Sequence, residues 1–224
     1  MPAFEAAMEK ADGIELDVRL AKCGTPVVAH DDTLDRVFGV PYRIDEMTAD
    51  ELALLRPSGS MNEARSGLYP PTLAQVLRLI PADFPLNIEI KAPKVEPRTP
   101  TRAVADVLKG FPHDPLVSCF NPLELARMAV HRRGTRLGLL FHHESSFALR
   151  EALVAPVLAM ANLEALHPNW KLVSPDLIER AHERGWAVNV WTLNDPVRAK
   201  WLAQEGVDSL ITDCPGELRK ALAQ

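Results

Sequence analysis

The sequence has few of the features that mark membrane proteins and nucleic-acid-binding proteins. Its apolar runs are far shorter than the roughly 20 residues that a membrane-spanning helix needs, so no stable membrane insertion is expected. The 25 basic residues are outnumbered by 30 acidic ones, giving a net charge of −5. A nucleic-acid partner is not expected either, because such proteins neutralise phosphates with a basic surface.

Cysteine is also scarce. The three cysteines, Cys23, Cys119 and Cys214, are odd in number and widely spaced, so they predict neither a disulfide framework nor a metal-binding pair. A reduced, cytoplasmic setting is the simplest interpretation. The first residues do not form a secretory signal, because they lack a basic segment followed by an apolar core.

Strand-like and helix-like segments alternate along the 224 residues, which are predicted to form one domain, 1–224. This alternation predicts βαβ units and a parallel sheet. A further strand at 26–31 is expected to form a hairpin with the first strand, followed by a small, mostly irregular insertion at 32–71. The parallel strands are predicted at 14–18, 87–91, 116–120, 136–141, 165–169, 187–193 and 209–213.

These seven strands favour an α/β fold of the TIM type, a (β/α)₈ barrel that lacks its first strand. A barrel of this kind needs eight parallel strands, and the chain opens with a predicted helix at 1–10 that would naturally follow one. Three explanations are a misassigned start, a fragment, and a truncated relative that is either inactive or completed by another subunit. An open doubly wound sheet is the alternative fold, but no Gly-rich phosphate loop follows any strand.

Carboxylates alternate with apolar residues on two of the predicted strands. Glu15 and Asp17 lie two residues apart, so their side chains point to the same side, and Glu89 repeats this pattern on the next strand. Inward-facing carboxylates repel one another unless a cation lies between them, and oxygen ligands suit Mg²⁺ or Ca²⁺. Lys91 could hold a phosphate oxygen nearby. For Glu15 and Asp17 alone, solvated acids on an exposed strand are the alternative interpretation.

Histidine and tryptophan supply further candidates. His30 ends the hairpin strand, where it could act as a general acid or base beside the acidic site or simply be a polar residue at a strand end. Trp191 is expected to face inward with Asn189, either as a flat wall for a small polyol or as core packing. Further candidates for phosphate contacts are His142, His143 and His167.

Six segments, taken together and in order, resemble the glycerophosphodiester phosphodiesterase family, particularly its small cytosolic bacterial type. The resemblance spreads over nearly the whole chain, and it implies a TIM-type barrel. It also implies metal binding by Glu15, Asp17 and Glu89, phosphate contact by Lys91, and a role for His30 as one of two catalytic histidines. The segments are Ile14-Glu-Leu-Asp-Val18, Val27-Val-Ala-His-Asp31, Asn87-Ile-Glu-Ile-Lys91, Val117-Ser-Cys-Phe-Asn121, Val190-Trp-Thr-Leu-Asn194 and Leu210-Ile-Thr-Asp213.

The resemblance implies metal-dependent hydrolysis of a glycerophosphodiester to an alcohol and glycerol 3-phosphate, within lipid and glycerol metabolism. The implied cofactor is one divalent metal, Mg²⁺ or Ca²⁺, and the implied partner is a small-molecule substrate. The family's His-Arg-Gly and Pro-Glu-Asn-Thr tags are absent, so the printed chain lacks the second histidine and the adjacent arginine. Leu34-Asp-Arg-Val-Phe-Gly39 also replaces a Thr-Thr- and Gly-rich stretch. Activity impaired by N-terminal truncation is therefore expected.

Two other functions stay open. A non-catalytic protein could keep the metal site and bind glycerophosphates without hydrolysing them. A phospholipase-D-like toxin on the same barrel is a weaker alternative, because the chain shows neither a signal nor a disulfide pair. The alcohol leaving group, the choice of metal and the oligomeric state, including a homo-oligomer, are not determined by the sequence.

Overall fold

The computed structural model describes residues 1–58, 68–92, 99–142 and 163–223. Within these ranges, one eight-stranded sheet is flanked by helices. The strands are β1 (Ile14–Leu20), β2 (Pro26–Val28), β3 (Leu86–Ile90), β4 (Leu116–Cys119), β5 (Arg136–Phe141), β6 (Leu163–Pro168), β7 (Ala187–Val190) and β8 (Ser209–Leu210).

The helices alternate with the strands as predicted. The helix predicted near 146–154 and the candidate His143 lie outside the described residues. Short 3₁₀ helices cover Ile44–Glu46 and Trp170–Leu172. The α-helices are α1 (Pro2–Lys10), α2 (Asp35–Phe38), α3 (Ala49–Ala53), α4 (Leu73–Leu79), α5 (Pro100–Leu108), α6 (Pro122–His131), α7 (Pro175–His182), α8 (Pro196–Gln204) and α9 (Pro215–Leu222).

The order of the strands identifies the architecture. It runs β2-β1-β3-β4-β5-β6-β7-β8, with β2 antiparallel to β1 and every other pair parallel. The parallel strands thus neighbour one another in chain order, whereas a doubly wound sheet reverses its order at a switch point. The TIM-type arrangement is confirmed, and the doubly wound alternative is wrong.

The sheet does not close among the described residues. There, β8 pairs only with β7, and the register between β1 and β2 begins only at Val18. The first and last helices do meet beside this open interval between β1 and β8. Arg219 of α9 forms an ion pair with Asp12, just after α1. The seven predicted parallel strands are the seven that the described part of the chain contains.

Three predicted strands are shorter than expected because pairing ends early. The hairpin strand stops at Val28, so His30 lies in the loop beyond it. The strand predicted at 187–193 ends at Val190, and Trp191 is held by an isolated parallel bridge to Asn169. The last strand contains two residues, since it has a single neighbour to pair with.

Capping boxes begin two of the helices, α3 at Thr48 and α4 at Thr72. The Thr48 hydroxyl accepts a hydrogen bond from the Glu51 amide at 3.3 Å, and the Thr48 amide donates to the Glu51 carboxylate at 2.7 Å. Thr72 and Gln75 make the same reciprocal pair. Each box satisfies amides that the first helical turn leaves without partners.

Apolar packing decides which side of β1 carries the polar residues. Ile14, Leu16 and Val18 are buried in the main core between sheet and helices. Because side chains alternate along a strand, Glu15 and Asp17 face the opposite side of the sheet. A second, smaller core lies beneath the segment after the hairpin and includes Val27, Leu34, Ile44 and Leu52.

No described helix combines the length and the apolar character needed to cross a bilayer.

Candidate metal centre and active site

Two neighbouring strands bring three carboxylates together. In the parallel register of β1 and β3, Glu15 is opposite Asn87 and Asp17 is opposite Glu89. One carboxylate oxygen from each of Glu15, Asp17 and Glu89 lies within 4.8 Å of the other two. The structure therefore places the three predicted metal ligands in one cluster.

The carboxylate cluster is held largely away from water, and its pKa values reflect this. Burial, followed by the charges of Asp17 and Glu89, raises the pKa of Glu15 to about 8 against the opposing charge of Lys91. Burial also raises the pKa of Glu89, which is 7% exposed, against the opposing charge of Lys91. Full ionisation of the three carboxylates would thus place more negative charge in the site than the protein neutralises.

Lys91 is the cation that the chain itself supplies to this cluster. Its Nζ lies 2.8 Å from Asp17 Oδ1 and 2.5 Å from Glu89 Oε1. Burial alone would lower the Lys91 pKa, but the two carboxylates together raise it, so the ammonium stays charged. One ammonium cannot balance three clustered carboxylates once all of them are ionised. This all-oxygen set of ligands therefore fits a hard divalent cation such as Mg²⁺ or Ca²⁺.

His30 lies in the loop after β2, where its side chain is 68% exposed. Its Nδ1 is 2.8 Å from Asp31 Oδ1, and its carbonyl oxygen accepts hydrogen bonds from Arg19 Nε at 3.0 Å and Nη2 at 2.8 Å. The imidazole is within electrostatic reach of the cluster, because its positive charge would weakly lower the Glu89 pKa that burial raises. Nearby Arg36 donates to Asp31 Oδ2 at 2.5 Å.

Trp191 is part of a group of aromatic rings that follow the carboxyl ends of the strands. Its indole Nε1 donates to the His167 carbonyl at 2.7 Å, and its ring meets Phe120 edge-on with centroids 5.4 Å apart. The Phe120 ring also lies 5.7 Å from the His142 ring. Trp191 is only partly buried.

His167 has a different place from the one expected of a phosphate contact. It is completely buried, and burial lowers its pKa to about 3. Asn189 Nδ2 lies 3.0 Å from its Nε2, and a Cβ on Gly138 would come within 2.6 Å of that nitrogen. His167 is therefore a neutral packing group inside the sheet.

Sequence reasoning did not single out Arg19, Asp31, Arg36 or Phe120. Arg19 had a readable signal, because it lies two residues after Asp17 and so projects from the same side of β1. The contacts of Asp31 and Arg36 depend on the path of an irregular loop, which no periodic pattern predicts.

The family model for the glycerophosphoryl diester phosphodiesterase family matches residues 1–217. The chain belongs to this family. A glycerophosphodiester phosphodiesterase of Caldanaerobacter subterraneus subsp. tengcongensis is 34% identical, and the alignment covers 96% of this chain and 88% of that protein. One from Bacillus altitudinis is 30% identical with the same coverage of both chains, 96% and 88%.

Solved structures share the fold of this phosphodiesterase-family chain. The glycerophosphodiester phosphodiesterase of Thermotoga maritima superposes with a TM-score of 0.76 at 30% identity, covering 98% of this chain and 89% of that one. A phosphodiesterase of Oleispira antarctica, solved in complex with the product sn-glycerol-3-phosphate, has a TM-score of 0.85 at 24% identity and covers 98% and 88% of the two chains. Both superpositions extend over nearly all of this chain.

Proposed function

We propose that this chain hydrolyses glycerophosphodiesters to an alcohol and glycerol 3-phosphate, with one divalent metal, Mg²⁺ or Ca²⁺, held by Glu15, Asp17 and Glu89. The observation that carries the proposal is the clustering of these three carboxylates within 4.8 Å on β1 and β3. Membership of the family and the 34% identical relative support the choice of substrate class.

Each proposed residue has a role that suits its surroundings. The bound metal would neutralise negative charge on the diester. Lys91, whose ammonium already contacts Asp17 and Glu89, would hold a phosphate oxygen as a point charge. His30 is exposed and within electrostatic reach of Glu89, so it would move a proton to or from a reacting oxygen. Trp191 would offer a flat surface to the glycerol or alcohol portion.

Proton transfer rests on His30 alone in this proposal. His167 is buried and neutral, and His142 packs against Phe120. Bond cleavage needs both a proton acceptor and a proton donor, and each typically contributes about 10²- to 10⁴-fold. With one proposed proton-transferring histidine, the chain is expected to turn over slowly.

The metal site is tested by calorimetric titration of the purified chain with Mg²⁺ and Ca²⁺, together with release of glycerol 3-phosphate from glycerophosphocholine. We expect Glu89→Gln to abolish both binding and release, because it removes a charged ligand. Asp114→Asn is the matched control, since Asp114 is 65% exposed and precedes β4 at the other end of the sheet. Equal metal affinity in wild type and Glu89→Gln would refute the assignment.

A non-catalytic glycerophosphate-binding protein is the second candidate, favoured by the single proton-transferring histidine in the proposed site. It predicts that glycerophosphocholine binds to the metal-loaded chain and is recovered intact. The proposed cytoplasmic location, the single domain over 1–224 with its insertion at 32–71, and a homo-oligomer stay predictions.

A further inference from the structure

The segment that carries His30 is tied to the strand that carries two of the carboxylates. Arg19 projects from the same side of β1 as Glu15 and Asp17, and two of its guanidinium nitrogens donate to the His30 carbonyl oxygen at 3.0 and 2.8 Å. A planar guanidinium that donates two hydrogen bonds to one acceptor fixes that acceptor in direction as well as in distance. Because the acceptor is a main-chain oxygen, this contact fixes the backbone of His30 but leaves its ring free to rotate.

A second contact fixes the ring. His30 Nδ1 lies 2.8 Å from Asp31 Oδ1. An ionised carboxylate can only accept hydrogen bonds, so Nδ1 must carry the hydrogen and Nε2 must keep its lone pair when the ring is neutral. The contact therefore selects one of the two imidazole tautomers and one ring orientation.

A third contact keeps Asp31 in its accepting form. Arg36 Nε donates to Asp31 Oδ2 at 2.5 Å, so the two carboxylate oxygens of Asp31 have separate partners. The hydrogen bond from Arg36, followed by that from His30, lowers the pKa of Asp31 below its usual range. Asp31 is thus an acceptor at neutral pH and cannot turn its Oδ1 away without losing one of two contacts.

We propose that Asp31 is a positioning residue for His30, which holds the neutral imidazole with Nδ1 protonated and Nε2 free, while Arg36 holds Asp31 and Arg19 holds the His30 backbone. The catalytic consequence rests on the proposed function, whereas the tautomer follows from the contacts alone. A bystander ion pair of Asp31 with Arg36 would leave the His30 ring unchanged, since exposed pairs contribute little by themselves.

The tautomer is tested by ¹⁵N–¹H NMR of the histidine rings of the full chain at alkaline pH, with His30 assigned by the signals lost in His30→Gln. We expect wild type to show the Nδ1-protonated form, and Asp31→Asn to shift His30 towards the other tautomer or a mixture. Asp35→Asn is the matched control, because Asp35 lies in the same segment with the same charge and contacts Thr33 instead. A His30 ring spectrum that is identical in wild type and Asp31→Asn would overturn the proposal.

Kinetics test whether the orientation matters for turnover of a glycerophosphodiester. We expect Asp31→Asn to lower kcat about tenfold or more, a part of the roughly 10²- to 10⁴-fold that a general acid or base supplies, with KM little changed. Arg36→Gln should have a smaller effect in the same direction. In a His30→Ala background, Asp31→Asn should have less than about a twofold effect, because a positioning residue acts only through its partner.

The two sets of results separate the positioning role from the proposed function. If wild type releases no product but the His30 tautomer responds to Asp31→Asn, the positioning role is supported and the proposed hydrolysis fails. If wild type is active and Asp31→Asn has full activity, or lowers kcat equally in the His30→Ala background, the positioning role is wrong and the proposed hydrolysis is unaffected.

Discussion

Two regions on the face of the sheet that points away from the helices bury polar side chains in opposite ways. On β1 and β3, three carboxylates face one lysine, and burial raises the pKa values of Glu15 and Glu89. On β6, the imidazole of His167 is buried without a charge and has a lowered pKa. The same alternation turns both sets of side chains away from the helices. The carboxylate cluster has more acidic groups than Lys91 alone can balance, whereas His167 is buried in its neutral form.

This contrast indicates which of the two regions would gain free energy by binding a cation. Charges that repel one another inside a protein destabilise it until a counter-ion arrives, so the carboxylate side is suited to a metal. A neutral histidine needs no counter-ion, and His167 packs closely over Gly138, so it is suited to a structural role. Substitutions in the two regions should therefore change the free energy of unfolding with opposite pH dependence and by different amounts.

The largest effect is expected for Glu15→Gln. Loss of one carboxylate should weaken metal binding by more than the roughly 10- to 100-fold that loss of an outer partner of a metal ligand costs. In the metal-free chain the same change should raise the free energy of unfolding above pH 8, because it removes a buried charge. Calorimetry with Mg²⁺ or Ca²⁺, and urea unfolding in a chelator at pH 9, measure the two effects.

The sign of this pH dependence follows from the Glu15 pKa of about 8, which lies above the ordinary value of 4.5. The folded metal-free chain binds more protons than the unfolded chain between these values, so its stability should fall as pH rises through that window. Metal affinity should rise over the same range, by at most about tenfold per pH unit, since the metal displaces the proton. If Glu15→Gln does not alter the stability of the metal-free chain at any pH, the proposed contrast between the buried carboxylates and the neutral His167 is wrong.

The next effect is a change of stability with pH that has the opposite sign, and it is caused by His167. Its folded pKa of about 3 lies below the ordinary 6.5, so the unfolded chain binds more protons between these values and stability should fall as pH falls. Replacing this titratable group, as in His167→Gln, should flatten that acid limb, whose slope is at most about 1.4 kcal/mol per pH unit. His131→Gln, on the exposed end of α6, is the control and should leave the limb unchanged.

The smallest effect tests the packing of His167 against Gly138. Gly138→Ala should lower the free energy of unfolding by about 1–3 kcal/mol, because the new Cβ would come within 2.6 Å of the imidazole Nε2. In a His167→Ala background, the same change should cost much less, since the ring is gone. Urea unfolding of the four chains gives the coupling energy, and additive costs would show that the close approach is unimportant.

The sequence predicted most of the fold and the clustering of the three carboxylates, for identifiable reasons. Strand alternation placed Glu15 and Asp17 on one side, and the parallel order placed Glu89 on the neighbouring strand. The points at which strand pairing ends were less predictable from the sequence. The hairpin strand ends at Val28 and β7 ends at Val190, both earlier than predicted. Irregular loops carry no period, which is why the contacts of His30 with Arg19 and Asp31 were not foreseen.

The sequence by itself determined which side of each strand is polar, because the side-chain period of two separates Glu15, Asp17 and Glu89 from the apolar residues between them. It also determined the helix starts at Thr48 and Thr72, since a capping box is a local interaction. Only the tertiary structure decided that Lys91 bridges Asp17 and Glu89, that Asp31 holds the His30 ring, and that His167 stays neutral. The first depends on the distance between neighbouring strands, the second on the path of an irregular loop and the third on the exclusion of water, all of which arise when the chain packs.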